Sequence, residues 1–149
     1  EVNFVKKLVE AFPKNIIGCK DSTYNLYENL KIKDFLIFPG DESKLLKGLQ
    51  IGCSGCISAI ANVTHKLARE VFDNYENNKP QINNEKLIMV RQVFDNYNLI
   101  SSLHSYMSTQ NSKFENLLPP LRLLNSKESK ELLKKLDTLK FSFKKNIAA

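Results

Sequence analysis

The chain has 149 residues, 42% hydrophobic and 26% charged, with a net charge of +6. That length and balance suit a globular domain with its own core, and no apolar run approaches the ~20 residues a membrane-spanning helix needs. The lysines are scattered (Lys31, Lys33, Lys44, Lys47, Lys66, Lys79) and only Arg69, Arg91 and Arg122 accompany them, so the clustered basic face of a nucleic-acid binder is missing.

Val2, Val5, Leu8, Val9 and Phe12 fall at helical spacing, which predicts an opening amphipathic helix ended by Pro13. This stretch reads as a helix and not as a secretory leader, and three cysteines, an odd count, favour a reducing cytoplasm. No methionine stands at position 1, so we expect the chain to begin inside a longer one. Ile16–Cys19 is a short apolar run of strand length with Lys20 at its tip. Ser22 or Thr23 would cap a short helix reaching about Leu30. Phe35–Phe38 predicts a second strand, closed by Pro39-Gly40-Asp41. Ser43 then reads as the N-cap of a helix carrying Leu45, Leu46 and Leu49, and Gly52 stops it. Cys56–Ile60 predicts a third strand, and Asn62–Thr64 opens a helix with Leu67, Ala68, Val71, Phe72 and Tyr75 along one side.

Helices alternating with apolar strands through short loops indicate parallel α/β architecture. The alternation stops after Pro80. Leu87 to about Thr109 predicts one long helix, Phe114–Leu124 a loop with Pro119-Pro120, and Ser126–Leu139 a final helix capped by Ser126. Lys144-Lys145 would begin a frayed tail. The expected division is an α/β part over 1–80 and a helical extension over 81–149.

Lys20 is the residue with the most chemistry in it. Burial at a strand end would favour the neutral amine, a nucleophile able to form a Schiff base with a ketone; the plainer alternative is a lysine pointing into water. Lys20, Gly40 and the Gly55–Ser58 segment lie near the ends of successive strands, the edge where parallel sheets and barrels bind ligands. Strand alternation puts Lys20 and Ser22 on one side and Asp21 on the other. Asp41 and Glu42 could reach a hydroxylated ligand or complement a helix N-terminus. Cys53-Ser-Gly-Cys56 offers a thiol or zinc reading, with Cys19 and His65 as further ligands, but it runs into a predicted strand instead of opening a helix. Gly48, Gly52 and Gly55 have the wrong spacing for a phosphate loop.

Asn15-Ile-Ile-Gly-Cys-Lys-Asp-Ser22, Phe38-Pro-Gly-Asp41 and Gly52-Cys-Ser-Gly-Cys-Ile-Ser-Ala-Ile-Ala-Asn-Val63 together resemble, in order and spacing, the later part of the dihydrodipicolinate synthase and N-acetylneuraminate lyase family. The resemblance runs through most of the first 80 residues, and Leu118-Pro-Pro-Leu-Arg-Leu-Leu suits the family's C-terminal helices. It implies an α/β fold: the C-terminal portion of a (β/α)8 TIM barrel, about strands six to eight, plus C-terminal helices. It also implies that Lys20 is the Schiff-base lysine for pyruvate on the sixth strand. Gly40 would follow the seventh strand, and Ile57, with Ser58 beside it on the eighth, would meet the keto acid through its backbone. Asp21, Ser22 and Glu42 are then expected to contact substrate.

The triplet Lys20-Asp21-Ser22 is most similar to the Lys-Asp-Thr of archaeal 2-keto-3-deoxygluconate aldolases. This implies cleavage of 2-keto-3-deoxygluconate, or its 6-phosphate, to pyruvate and glyceraldehyde or its phosphate. The alternatives are a dihydrodipicolinate synthase joining pyruvate to aspartate semialdehyde, and a non-catalytic binding or assembly module. Expected partners are pyruvate and a 2-keto-3-deoxy sugar acid, sister copies in a homotetramer, and the missing N-terminal half of the barrel. No metal, cofactor, nucleic acid or membrane is expected. The family's Thr-Thr or Ser-Thr pyruvate-carboxylate motif and its Tyr-Asn-x-Pro proton-relay tyrosine belong to the earlier half. The chain by itself is therefore expected to be inactive.

Overall fold

The computed structural model describes residues 2–143, which form two compact units. Residues up to Ser58, with Leu67–Asn84, make the first; Ala59–Lys66 and the chain from Glu85 onward make the second.

In the first unit, helix α1 (Val2–Ala11) leads into strand β1 (Gly18–Asp21), which pairs in parallel with β2 (Leu36–Pro39). Gly18 stands opposite Leu36 and Lys20 opposite Phe38. Successive strand side chains alternate. One face gives Cys19 and Ile37 to a cluster with Tyr27, Leu30, Cys53, Val2 and Val5. The other face carries Lys20, Leu36 and Phe38, and Leu36 stays exposed. The first strand was expected to end at Cys19. It starts two residues later than predicted, at Gly18, and takes in Lys20 as its third residue. Pairing sets its limits more than apolarity does: Leu36 N–H donates to Ile17 O at 2.9 Å, and Gly40 N–H to Asp21 O at 2.8 Å.

Between the strands lies the four-residue helix α2 (Leu26–Asn29), shorter than expected. After β2 a 3-10 turn, Glu42–Lys44, enters α3 (Leu45–Gln50). The cap here is Asp41, whose side chain accepts from Ser43 N–H, and not Ser43 itself.

The third strand does not form as predicted. Residues 53–57 run extended beside β2, with Ser54 N–H donating to Ile37 O at 2.9 Å and Ile57 N–H to Pro39 O at 3.0 Å. Three steps along this segment thus match two along β2. The extra residue is Gly55, at φ +145°, a conformation open to glycine, and it breaks the ladder as a bulge does. The third extended segment therefore begins upstream of the predicted Cys56–Ile60. Helix α4 (Ala61–Glu76) follows. From Leu67 it belongs to the first unit, where Val71 is fully buried and Tyr75 donates to Leu49 O at 3.0 Å.

The second unit packs α5 (Asn84–Asp95), α6 (Leu99–Ser108) and α7 (Ser126–Thr138) around Phe94, Leu103, Tyr106, Leu132 and Leu136. The single helix expected over 87–109 is two. Asn98 interrupts it and caps α6, its side-chain oxygen accepting from Ser101 N–H at 3.0 Å. Asn125, one residue ahead of the predicted Ser126, caps α7 in a reciprocal capping box with Glu128. Lys144-Lys145 lies outside the described residues.

Candidate active site

Parallel pairing aligns the carboxyl ends of β1 and β2, and the residues at that edge make the site. Lys20 and Ser22 are exposed while Asp21, between them, is buried. Lys20, Ser22, Thr23 and Asp21 line a cleft of about 520 Å3 whose apolar wall is Phe4, Val5 and Leu26. Lys20, Ser22 and Thr23 thus bring an amine and two hydroxyls to one edge of the sheet.

Asp21 is only 1% exposed and spends its carboxylate on the protein. One oxygen accepts from Thr23 N–H at 3.0 Å and Thr23 Oγ1–H at 2.8 Å; the other accepts from Leu26 N–H at 2.9 Å and Tyr27 N–H at 2.8 Å. It thereby closes the loop after β1 and caps α2, whose own N-cap, Asn25, makes no side-chain cap bond. Asp21 was expected to touch substrate; among the described residues its carboxylate closes this loop. Sequence reasoning missed it, although Asp-Ser-Thr after a strand is the composition of a side-chain-closed turn.

Burial pushes the Asp21 carboxyl up, but the hydrogen bonds from Tyr27, Thr23 and Leu26 outweigh it and hold the carboxyl below the ordinary aspartate value. A carboxyl lowered on folding adds stability above its unfolded pKa of ~3.9, and that contribution disappears as pH falls through the folded value. Denaturation midpoints of the wild type and Asp21→Asn are therefore expected to differ most near neutral pH and to converge below about pH 4. Parallel denaturant titrations check this.

Gly40 follows β2 with its N–H on Asp21 O. A Cβ there would fall 2.6 Å from Ser22 Oγ and 3.2 Å from Ser22 Cα, so only glycine lets the two strand ends close on each other. The next tie is Glu42, fully buried, which accepts from Ser58 Oγ–H at 2.7 Å. Glu42 and Ser58 were expected to meet substrate; this bond joins the loop after β2 to the end of the 53–57 segment. Ile57 is 48% exposed at the same edge, with its N–H held by Pro39 O.

The thiols lie apart from this chemistry. Burial raises the pKa of Cys19 and Cys53, and burial with nearby Glu42 and Asp41 pushes Cys56 up to about 12. Such shifts run opposite to the lowered thiol pKa of a reactive cysteine. Among the described residues no group of three or more His, Cys, Asp or Glu could hold a metal ion, and no helix is long and apolar enough to cross a membrane.

A parallel strand pair joined through a helix, with a third extended segment beside the second strand, is consistent with part of a β/α barrel. Comparison with known proteins gives the particular family: residues 1–139 match the Dihydrodipicolinate synthetase family, and the chain belongs to it. That family is made up of class I aldolase and lyase enzymes.

Among curated relatives, the 4-hydroxy-tetrahydrodipicolinate synthase of Sodalis glossinidius is 43% identical over 67 residues, covering 42% of this chain and 22% of its own. That of Desulforamulus reducens is 30% identical over 76 residues, covering 48% and 25%. Of the solved structures, the synthase of Methylacidiphilum fumariolicum SolV superposes with a TM-score of 0.81 at 22% identity, over 94% of this chain and 49% of that one. A prophage protein of the same family from E. coli K12, in complex with pyruvate, superposes at 0.81 with 20% identity, over 95% and 51%. The superpositions show the fold. The chain spans about half the length of these solved structures and about a quarter of the curated relatives. These relatives carry the synthase name, where the Lys20-Asp21-Ser22 triplet had suggested the aldolase.

Proposed function

We propose that Lys20 is the Schiff-base lysine of a pyruvate-dependent class I enzyme, and that the reaction is the condensation of pyruvate with aspartate semialdehyde. The observation that carries this reading is the position of Lys20: an exposed amine on the first strand of a parallel pair, opening on a cleft with Ser22 and Thr23. The unprotonated amine adds to the C2 ketone of pyruvate, and loss of water leaves an iminium. Proton loss from the methyl carbon gives an enamine, which attacks the aldehyde carbon of the second substrate. Water then cleaves the iminium and returns the amine. The residues that hold the pyruvate carboxylate and relay the proton come from the remainder of the barrel, as the family resemblance implies.

The choice of second substrate rests on the relatives, which bear the synthase name. Cleavage of 2-keto-3-deoxygluconate is the second reading, and the triplet Lys20-Asp21-Ser22 favours it. Its weight is reduced because Asp21 faces the protein, where loop closure accounts for an aspartate. The test gives the complete enzyme either pyruvate with aspartate semialdehyde or 2-keto-3-deoxygluconate alone. Consumption of the semialdehyde is the expected result; release of pyruvate from the sugar acid in its place would overturn the substrate assignment and keep the lysine chemistry.

A further inference from the structure

We propose that Asp21 is a positioning residue for Lys20: its carboxylate fixes the loop Ser22–Tyr27 and so sets where the amine and the Ser22 hydroxyl stand in the cleft. This rests on the reading of Lys20 as the reacting amine.

The geometry is specific. Four donors converge on two buried oxygens, from Thr23, Leu26 and Tyr27, so the residue next to Lys20 is fixed at once to the turn and to the start of α2. Inside that turn Tyr24 sits at φ +58°, a backbone state an aromatic residue rarely adopts. Such a state persists where neighbouring bonds over-determine it, and those bonds include the four to Asp21 and the Tyr24 hydroxyl donating to Asp41 at 3.4 Å in the adjacent loop. The main chain is held as well, since Asp21 O accepts from Gly40 N–H, and Gly40 lacks the Cβ that would displace Ser22. Ser22 therefore stands between an anchored turn and bare backbone, and Lys20 is one residue from the anchor.

An asparagine at position 21 keeps the size and one acceptor oxygen, but sets an amide N–H2 against two of the four donors. The turn then loses part of its anchor while the sheet and the core are left alone. The experiment compares wild type, Asp21→Asn, Asp21→Glu and a core control, Ile37→Val, in the complete enzyme. Three quantities are read: amide exchange at Leu26 and Tyr27, the rate and half-saturation of borohydride trapping with pyruvate, and acylation of Lys20 against Lys14 and Lys31 by an amine-reactive ester.

We expect faster exchange at Leu26 and Tyr27 in Asp21→Asn, with the limiting trapping rate down by about ten- to a hundredfold, the cost of misplacing a reacting group by roughly an ångström. Half-saturation moves far less, Asp21→Glu recovers part of the rate, and Ile37→Val leaves the rate unchanged although it lowers stability. If exchange quickens but the limiting rate holds, Asp21 is a stabilising residue only and the proposal is overturned, with the lysine chemistry intact. Failure of the wild type to trap pyruvate sinks the functional reading instead. In that case the acylation arm decides: a change in Asp21→Asn confined to Lys20 sustains the positioning role, and an unchanged Lys20 ends it. Should Asp21→Asn fail to fold, Asp21→Glu carries the same comparison.

Discussion

Lys20→Arg is expected to abolish turnover in the complete enzyme, a loss of at least about a thousandfold, as for removal of a covalent nucleophile. Arginine keeps the positive charge and much of the length of lysine, so binding of an anionic keto acid is largely retained. Its guanidinium does not lose a proton in proteins and cannot add to a ketone. Lys20 is exposed among the described residues, and the denaturation midpoint should hold. Steady-state assay and a denaturant titration of the same preparation check both halves. Retained turnover would remove Lys20 from the chemistry; joint loss of turnover and stability would show that the side chain matters to the fold.

The second large effect concerns the helical unit. Phe94 is fully buried, and its ring meets that of Tyr106 edge-on at 5.8 Å between centroids. Around it stand Ile60, Val63, Val90, Leu103, Leu132 and Leu136, all buried. Apart from Ile60, which just precedes α4, these come from four separate helices, so the space left by a deleted ring has walls that cannot all move in together. Phe94→Ala is expected to cost ~3–5 kcal/mol, the sum of lost transfer energy and residual cavity. Tyr106 would lose its edge-to-face partner while keeping the bond from Phe143 N–H to its hydroxyl at 2.8 Å. Equilibrium denaturation measures the cost. A value under about 1 kcal/mol would mean that the core closes over the gap.

Where the sequence was legible, one kind of signal carried it. Apolar runs bounded by Pro13, Pro39 and Gly40 located β1 and β2 to within two residues, because a strand covered on both faces in its complete fold is apolar throughout. Helical spacing found α1, α4 and α7 for the same reason. The failures also share a cause. Gly55 lies just ahead of the predicted Cys56–Ile60 strand, and only its left-handed backbone reveals that the ladder breaks there. Asn98 sits where the hydrophobic spacing continues unbroken, so its cap was hidden by a longer-range pattern. Asp21 and Glu42 were read as ligand contacts because acids at strand ends often are. Their burial depends on partners distant in sequence: Ser58 for Glu42, and for Asp21 the helix start at Leu26 and Tyr27. Lys20 and Ser22 were placed on one side of the strand by alternation alone, and exposure of both with Asp21 buried is what that rule requires. The aldolase-like triplet was the least secure of the motifs, since one of its three residues serves the loop.

The most direct measurement is the address of the covalent adduct. The wild-type enzyme is treated with pyruvate and borohydride, digested, and mapped by mass spectrometry, with pyruvate omitted in a parallel sample. A single pyruvate-dependent adduct on Lys20 is the predicted result. An adduct on any other lysine, or an enzyme that turns over pyruvate without forming one, would contradict it.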